Sequence, residues 1–375
     1  EQAGPYHAVI VAETRFPESG KPAEGFAHRA RIHAYAGSPL IQVDYFVANT
    51  DSRNERRPDW LGSKLDVRSV ALRLKPASPI EGVLHALGSG PGHGALVQKD
   101  AAGDGPNGWA SFSLERGGIA AGIEAFREQY PKAIRWRPDE IELALWAEEG
   151  GTYEWNEGVG KTHRISLYYG GSRTADAALL AAGPVLAAAE PEWYAASGPR
   201  PEIEKTLAAA MRGVVQRVGL GFENFGDHSS PGYVKGTVAW ANNEYDQPAA
   251  GIHHFARTGD RDALRIGLAS ALHFLDVDMC HYSSLRADWL GAARVHGHGV
   301  IGHHTAEAPN MHHAGDIQGL ILYSYLTGDP AGLKGAEGVA RWVLRNMNPR
   351  SNVGSMERAL GHPLMTLVDV YEATW

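Results

Sequence analysis

GIHHFARTGDRDALRIGLASALHFL (251–275) and GLILYSYLTGDPAGLKGAEGVARWVL (319–344) share a central Thr-Gly-Asp, and this echo decides the architecture of the second half of the chain. The two turns start at 258 and 327, 69 residues apart. Each string reads as helix, Gly-Asp turn, helix: the Gly serves as the left-handed residue that ends one helix, and the Asp caps the next. Apolar residues fall three and four apart at Leu264, Leu268, Leu272 and Leu275, at Ile317, Leu320 and Ile321, and at Val339, Trp342 and Val343, the period of a helix with one buried face. Ile203, Leu207, Met211, Val214 and Val218 make an earlier stripe of the same kind. Helical hairpins in series bury their inner faces by stacking, and stacking around a ring gives an α/α toroid. About six helices fit between 201 and 375, so an incomplete toroid is expected there.

Working back from 200, the period falls to two. Ala30, Ile32 and Ala34 alternate with Arg29, Arg31, His33 and Tyr35; Ile41, Val43, Tyr45 and Val47 alternate with Gln42, Asp44 and Phe46. Val70, Leu72 and Leu74, then Ile141, Leu143 and Leu145, then Ile165 and Leu167 repeat the pattern. Many half-buried strands in series, separated by Gly-rich turns, predict an antiparallel β-sandwich over 1–172. Between 173 and 200 an Ala/Leu-rich tract punctuated by Pro184, Pro191 and Pro199 reads as a linker with a short helix. The fold class is therefore multidomain, β then α.

Composition narrows the function. A net charge of −8 and a pI near 6.1 argue against a nucleic-acid surface, which needs a basic face. No apolar run reaches the ~18 residues of a membrane span. The single cysteine, Cys280, excludes a disulfide framework and a four-cysteine zinc site. No P-loop, dinucleotide fingerprint or nucleophile elbow is present. Ten Trp and 14 Tyr suit a protein that handles sugar faces.

The polar chemistry concentrates in two places. The stretch 281–316, HYSSLRADWLGAARVHGHGVIGHHTAEAPNMHHAGD, carries seven of the 18 histidines (281, 296, 298, 303, 304, 312 and 313) beside Arg286, Asp288, Trp289, Asn310 and Asp316. Histidine titrates near neutrality and serves as acid, base or ligand. The second place is WANNEYD (240–246), where Trp240, Asn242, Asn243, Glu244, Tyr245 and Asp246 precede a helix with Pro248 in its first turn. The bland counterpart of that motif is an elaborate helix cap. Both segments precede helices of successive hairpins and so are expected on one rim. A divalent metal is the rival chemistry, with His296-x-His298 and the adjacent histidine pairs as donors, though no HExxH is present; no cofactor is expected.

The strings RIHAYAGSPLIQVDYFV (31–47), GIEAFREQYPKAI (122–134), GVGKTHRISLYY (158–169), WANNEYD (240–246) and GHHTAEAPNMHHAGDIQGL (302–320), taken in order, resemble the exo-rhamnogalacturonan lyase family of polysaccharide lyases. That resemblance implies a central β-sandwich plus part of a C-terminal α/α toroid, a chain that is a fragment of a longer secreted or periplasmic protein, and β-elimination at a uronic acid in a pectin-like polymer. The implied partner is an acidic polysaccharide or oligosaccharide, with neither nucleic acid nor membrane involved. Elimination needs a group that offsets the uronate charge, a base for the C5 proton and an acid for the departing oxygen. From residue type and position, Asn243 and Arg286 fit the first role, His313 or His304 the second, and Tyr245 or Tyr282 the third. Trp240, Asn242, Glu244, His281, His303, His312 and Asp316 complete the substrate contacts. Two alternatives stand beside it: a toroid glycoside hydrolase using Asp316 with Glu244 or Asp246, and a non-catalytic carbohydrate-binding scaffold.

Overall fold

The computed structural model describes the chain apart from residue 1 and residues 54–62, 86–87, 102–107, 171–185, 187–188, 191, 194–195, 197–200, 232–237, 295–307 and 348–356. Strands fill the first part: β1 (Gln2–Ala3), β2 (His7–Glu13), β3 (Phe26–Tyr35), β4 (Leu40–Asn49), β5 (Lys64–Val67), β6 (Val70–Leu74), β7 (Ile80–His85) and β8 (Gly88–Pro91). They continue with β9 (Gly94–Gln98), β10 (Trp109–Leu114), β11 (Gly118–Ile123), β12 (Lys132–Arg137), β13 (Glu140–Trp146), β14 (Tyr153–Asn156) and β15 (Gly160–Tyr169). Nine form one antiparallel sheet in the order β1-β2-β3-β4-β15-β11-β10-β7-β8, and four form a second, β6-β13-β12-β9. The expected alternation is what lets the sheets face each other. Ile80, Val83, Phe112, Ile123 and Ile165 of the large sheet interleave with Leu96, Ile134, Trp136, Ile141 and Leu143 of the small one in a single dry core.

Helices fill the second part: α1 (Pro201–Arg217), α2 (Gln247–Thr258), α3 (Arg261–His273), α4 (Gln318–Thr327), α5 (Ala331–Asn346) and α6 (Arg358–Thr374). Two three-residue strands, Ser229–Pro231 and Val238–Trp240, lie among them. The first Thr-Gly-Asp turn does what its chemistry predicts; in the second the glycine does so, but Pro330 rather than Asp329 stands at the N-cap of α5. Gly259 and Gly328 sit at φ 73° and 71° and donate back to the Phe255 and Ser324 carbonyls. Asp260 accepts from the amides of Asp262 and Ala263, and Asp329 Oδ1 accepts from Ala331 N at 3.0 Å. α2 and α3 approach so closely that a Cβ on Gly251 would lie 2.8 Å from Gly267 Cα. α2 also packs on α4, and α5 on both α4 and α6. The predicted linker falls almost wholly outside the described residues.

One feature of the junction was not predicted. α3 does not stop at His273 but widens into a π-helical turn, Phe274–Asp278, whose five residues are all buried. This turn swings Asp276 onto β15 where β11 has ended. Thr162 donates its amide (2.8 Å) and hydroxyl (2.6 Å) to the Asp276 carboxylate, and Lys161 Nζ lies 3.4 Å away. Beside it, Lys132 is fully buried, donating to the Glu124 carbonyl and Gln129 Oε1; burial and the charge of Lys161 push its pKa down to about 7.

Removing one partner of a buried ion pair strands the other charge. Asp276→Ala is therefore expected to destabilise the protein by about 3–5 kcal/mol in denaturant titration, and Asp276→Asn, which keeps an acceptor for Thr162, by clearly less. Equal, small losses for both would show that the carboxylate carries no such weight.

Candidate functional site

The loop 240–246 is held in a conformation that most side chains avoid. Asn242, Asn243, Tyr245 and Asp246 all have positive φ, between 47° and 64°. Asn and Asp tolerate this region; a tyrosine there is strained and persists only where its surroundings over-determine it. The surroundings are explicit. Buried Asp227 accepts the amides of Asn242 (2.9 Å) and Asn243 (3.3 Å). Asn243 is itself buried and donates to the Ser270 carbonyl and to Asp278 Oδ2 at 3.1 Å. Asp246 Oδ1 accepts from Ala249 N (3.0 Å), and its Oδ2 accepts from Gly319 N (3.0 Å), so one carboxylate caps α2 and α4 together. Only glycine fits at 319, because a Cβ would lie 2.4 Å from Ala249 N.

The second segment meets the first at this shared cap. Asn310 Oδ1 accepts from His312 N and starts the turn Met311–His313. That turn places His313 Nδ1 3.8 Å from Glu244 Oε1. Asp316, 7% exposed, lies against the Tyr245 amide in the field of Asp246 and Glu244. Burial first, and those like charges second, push its pKa up to about 8, so it carries its proton at neutral pH. Asp246 is also raised, by burial, against the pull of its helix-end amides.

Three contributors were missed by sequence reasoning, and all stand on α6. Arg358 Nη1 donates to Glu244 Oε1 (3.1 Å) and to the Tyr245 hydroxyl (3.0 Å), with the Tyr245 ring 66% exposed. One turn on, His362 Nδ1 contacts the His312 carbonyl, and Thr366 donates to the Ala314 carbonyl. The available signal was Arg358 and His362 four apart on one helix face. Burial, Arg358 and His362 together hold His312 below the usual imidazole range.

The rest of the expected set is placed differently. Tyr282 is fully buried, and its hydroxyl is given to the Lys21 carbonyl, so it cannot meet a polymer. His281 is wedged between the Phe46 ring and the Leu275 carbonyl, with burial driving its pKa down to about 4. Arg286 is engaged by Asp288 through Nε and Nη2 and lies over Trp289. Asn242 donates to the Arg294 carbonyl at 3.4 Å, and the Trp240 ring covers Gly219. Asn243 is a buried brace of the loop rather than a surface contact. His296, His298, His303 and His304 lie outside the described residues. Among the described residues no group of three His, Cys, Asp or Glu side chains could hold a metal ion, and no helix is long and apolar enough to cross a membrane.

No family model matches the chain, and no curated protein matches it. Among solved structures it is similar to a GH36 alpha-galactosidase, AgaA of Geobacillus stearothermophilus in complex with raffinose, at 12% identity over 44% of this chain and 28% of that one, with a TM-score of 0.28. It is also similar to the alpha-galactosidase from Lactobacillus brevis at 10% identity, covering 98% of this chain and 55% of that one, with a TM-score of 0.24. The chain thus spans less than two thirds of either enzyme. Superpositions this loose carry no weight for fold or function.

The protonated state of Asp316 has a measurable consequence. Its folded pKa, about 8, exceeds the ordinary 3.8, so its contribution to stability is fully present below about pH 4 and is lost as pH rises through 8. Wild type is expected to lose stability relative to Asp316→Asn across that window, by up to about 1.4 kcal/mol per pH unit. A difference that stays flat with pH would show that Asp316 is ionised in the native protein.

Proposed function

We propose that the protein is a carbohydrate-active enzyme that cleaves a uronic-acid polymer of rhamnogalacturonan type by β-elimination, at the rim where 240–246, 310–316 and α6 meet. The observation that carries the reading is the Arg358 guanidinium, bonded at once to the Glu244 carboxylate and to the exposed Tyr245 phenol, with His313 against the same carboxylate. Arg358 takes over the role expected of Arg286 and Asn243: it binds the uronate carboxylate, in the position Glu244 now occupies, and draws charge from C5. His313 removes the C5 proton, the electrons of that bond form the C4–C5 double bond, and the C4–O4 bond breaks. Tyr245 gives its proton to O4. Arginine supplies the positive charge, so the scheme calls on no metal. The helical hairpins stacked side by side are read as part of an α/α toroid, with the β-sandwich (1–172) on one flank. A polymer substrate fits a secreted or periplasmic setting.

One observation favours hydrolysis as the second reading. Asp316 is a carboxylic acid kept protonated near ionisable Glu244, the pairing a glycosidase uses.

Incubation with pectic uronate polymers separates the two. Elimination yields products absorbing in the ultraviolet from the new double bond; hydrolysis yields reducing ends without that absorbance. Under the lyase reading, His313→Ala and Arg358→Ala each cost on the order of 10²–10⁴ in turnover with little change in melting, while Asp316→Asn retains activity. Loss with Asp316→Asn and reducing ends alone would establish hydrolysis. No product of either kind from any uronate polymer would leave the carbohydrate-binding scaffold.

A further inference from the structure

The face of the large sheet that turns toward the helices carries a second polar cluster, on strands that the rim site does not use. Cross-strand register puts His7 opposite Tyr35, and His33 opposite Gln42. Alternation places all four side chains, with Asp44 and Arg164, on that face. The rings stand as a stack: Tyr35 and His7 lie 4.6 Å apart at 6°, and His7 and His33 5.3 Å apart at 13°.

A polar chain runs through the stack. His7 Nε2 is 3.1 Å from His33 Nδ1, and His33 Nε2 is 3.3 Å from Asp44 Oδ2, off the ideal hydrogen-bond direction. Arg164 Nε lies 3.5 Å from Asp44 Oδ1, and Arg164 Nη2 3.3 Å from Asp329 Oδ2, in the second Thr-Gly-Asp turn. Burial alone would raise Asp44; contact with His33 and the charges of Arg164 and Arg31 outweigh it and keep the carboxylate ionised.

An ionised carboxylate only accepts, which sets the protons along the chain. The tautomer that suits an ionised Asp44 puts the His33 proton on Nε2. In that tautomer His33 Nδ1 accepts from His7 Nε2–H, which leaves His7 Nδ1 as an acceptor. Tyr35 donates its hydroxyl to Gln42 Oε1 at 2.8 Å, so its oxygen accepts and Gln42 Nε2 donates. Two acceptors and a donor on one face of the sheet match the adjacent hydroxyls of a sugar. The charges around them cancel: Glu13 with Arg29 at 2.7 Å, Asp329 with Arg31 at 3.0 Å, Asp44 with Arg164. Among the described residues nothing there selects an anion.

We infer that His7, Tyr35 and Gln42 form a second saccharide site on the sheet, taking a neutral pyranose through its vicinal hydroxyls. The site goes beyond the rim reading and does not depend on it.

The test is a titration of the intact chain with methyl glucoside, methyl galactoside, methyl rhamnoside and galacturonic acid, followed by the ring-nitrogen resonances of its histidines. At least one neutral glycoside is expected to move His7 and His33, with both rings protonated on Nε2. His7→Phe, which keeps the stack, and Gln42→Met should each weaken that binding about tenfold; Arg358→Ala should not. If His7→Phe fails to fold, Gln42→Met decides alone. No shift from any neutral glycoside, or shifts that survive both substitutions, overturns the site. So does a response confined to galacturonic acid and lost in Arg358→Ala, since that ligand belongs to the rim. Neutral-sugar binding without any product from uronate polymers upholds this site and rejects the rim enzyme.

Discussion

The Asp276 carboxylate is the contact on which the rest depends. β15 loses its neighbour β11 after the Ile123–Ile165 pair, and the next backbone bond to it is Glu124 N to the Arg164 carbonyl. Thr162 would then present a half-buried amide with no acceptor, which counts against folding. Asp276 fills the gap, and Lys161, itself over the Phe222 ring, balances its charge. A carboxylate placed there fixes the end of α3. That end carries Ser270 and Asp278, the two acceptors that hold the Asn243 side chain and so the strained loop before α2. The rim geometry is therefore set from the sheet, through one turn of π-helix. Such turns are rare and tend to occur where a side chain must be re-aimed.

Local period was enough to read most of the fold. Ile41, Val43, Ile165 and Leu167 alternate because each strand has one dry face, and the two Thr-Gly-Asp turns carry their own left-handed glycine, the first also its capping carboxylate. Neither feature needs knowledge of distant partners. The π turn is different, because 274–278 continues a helical period and only the demand of Thr162, over a hundred residues earlier, bends it. Arg358 escaped for the same reason. Nothing near it in sequence marks it as the partner of Glu244, and the apolar character of α6 dominates its reading. The histidine-rich stretch looked like one site, and its described residues go to two places. Tyr282 and His281 are drawn into the junction with the sheet because their rings fill it, beside Phe46 and under the Lys21 carbonyl. His312, His313 and Asp316 go to the rim because their turn is pinned by Asn310 and α6.

The rim is built from groups that the helices also need. Two acids, Asp246 and Asp316, are buried close to the same pair of helix N-termini, whose partial positive charge can support one anion but not two side by side. Asp246 takes the amides of Ala249 and Gly319 and has the stronger claim to ionise. Asp316, with one amide contact and two acidic neighbours, keeps its proton. The division of labour follows from the hydrogen-bond count, and it leaves a proton donor and an anion-anchored loop in one place. It also explains why Tyr245 can be held at φ 64° with its ring in solvent. Its neighbours on either side, Glu244 and Asp246, are tied to different elements, α6 through Arg358 and α4 through Gly319. The tyrosine has no freedom to relax into an ordinary conformation, so the restraint that joins the helical hairpins also presents the phenol.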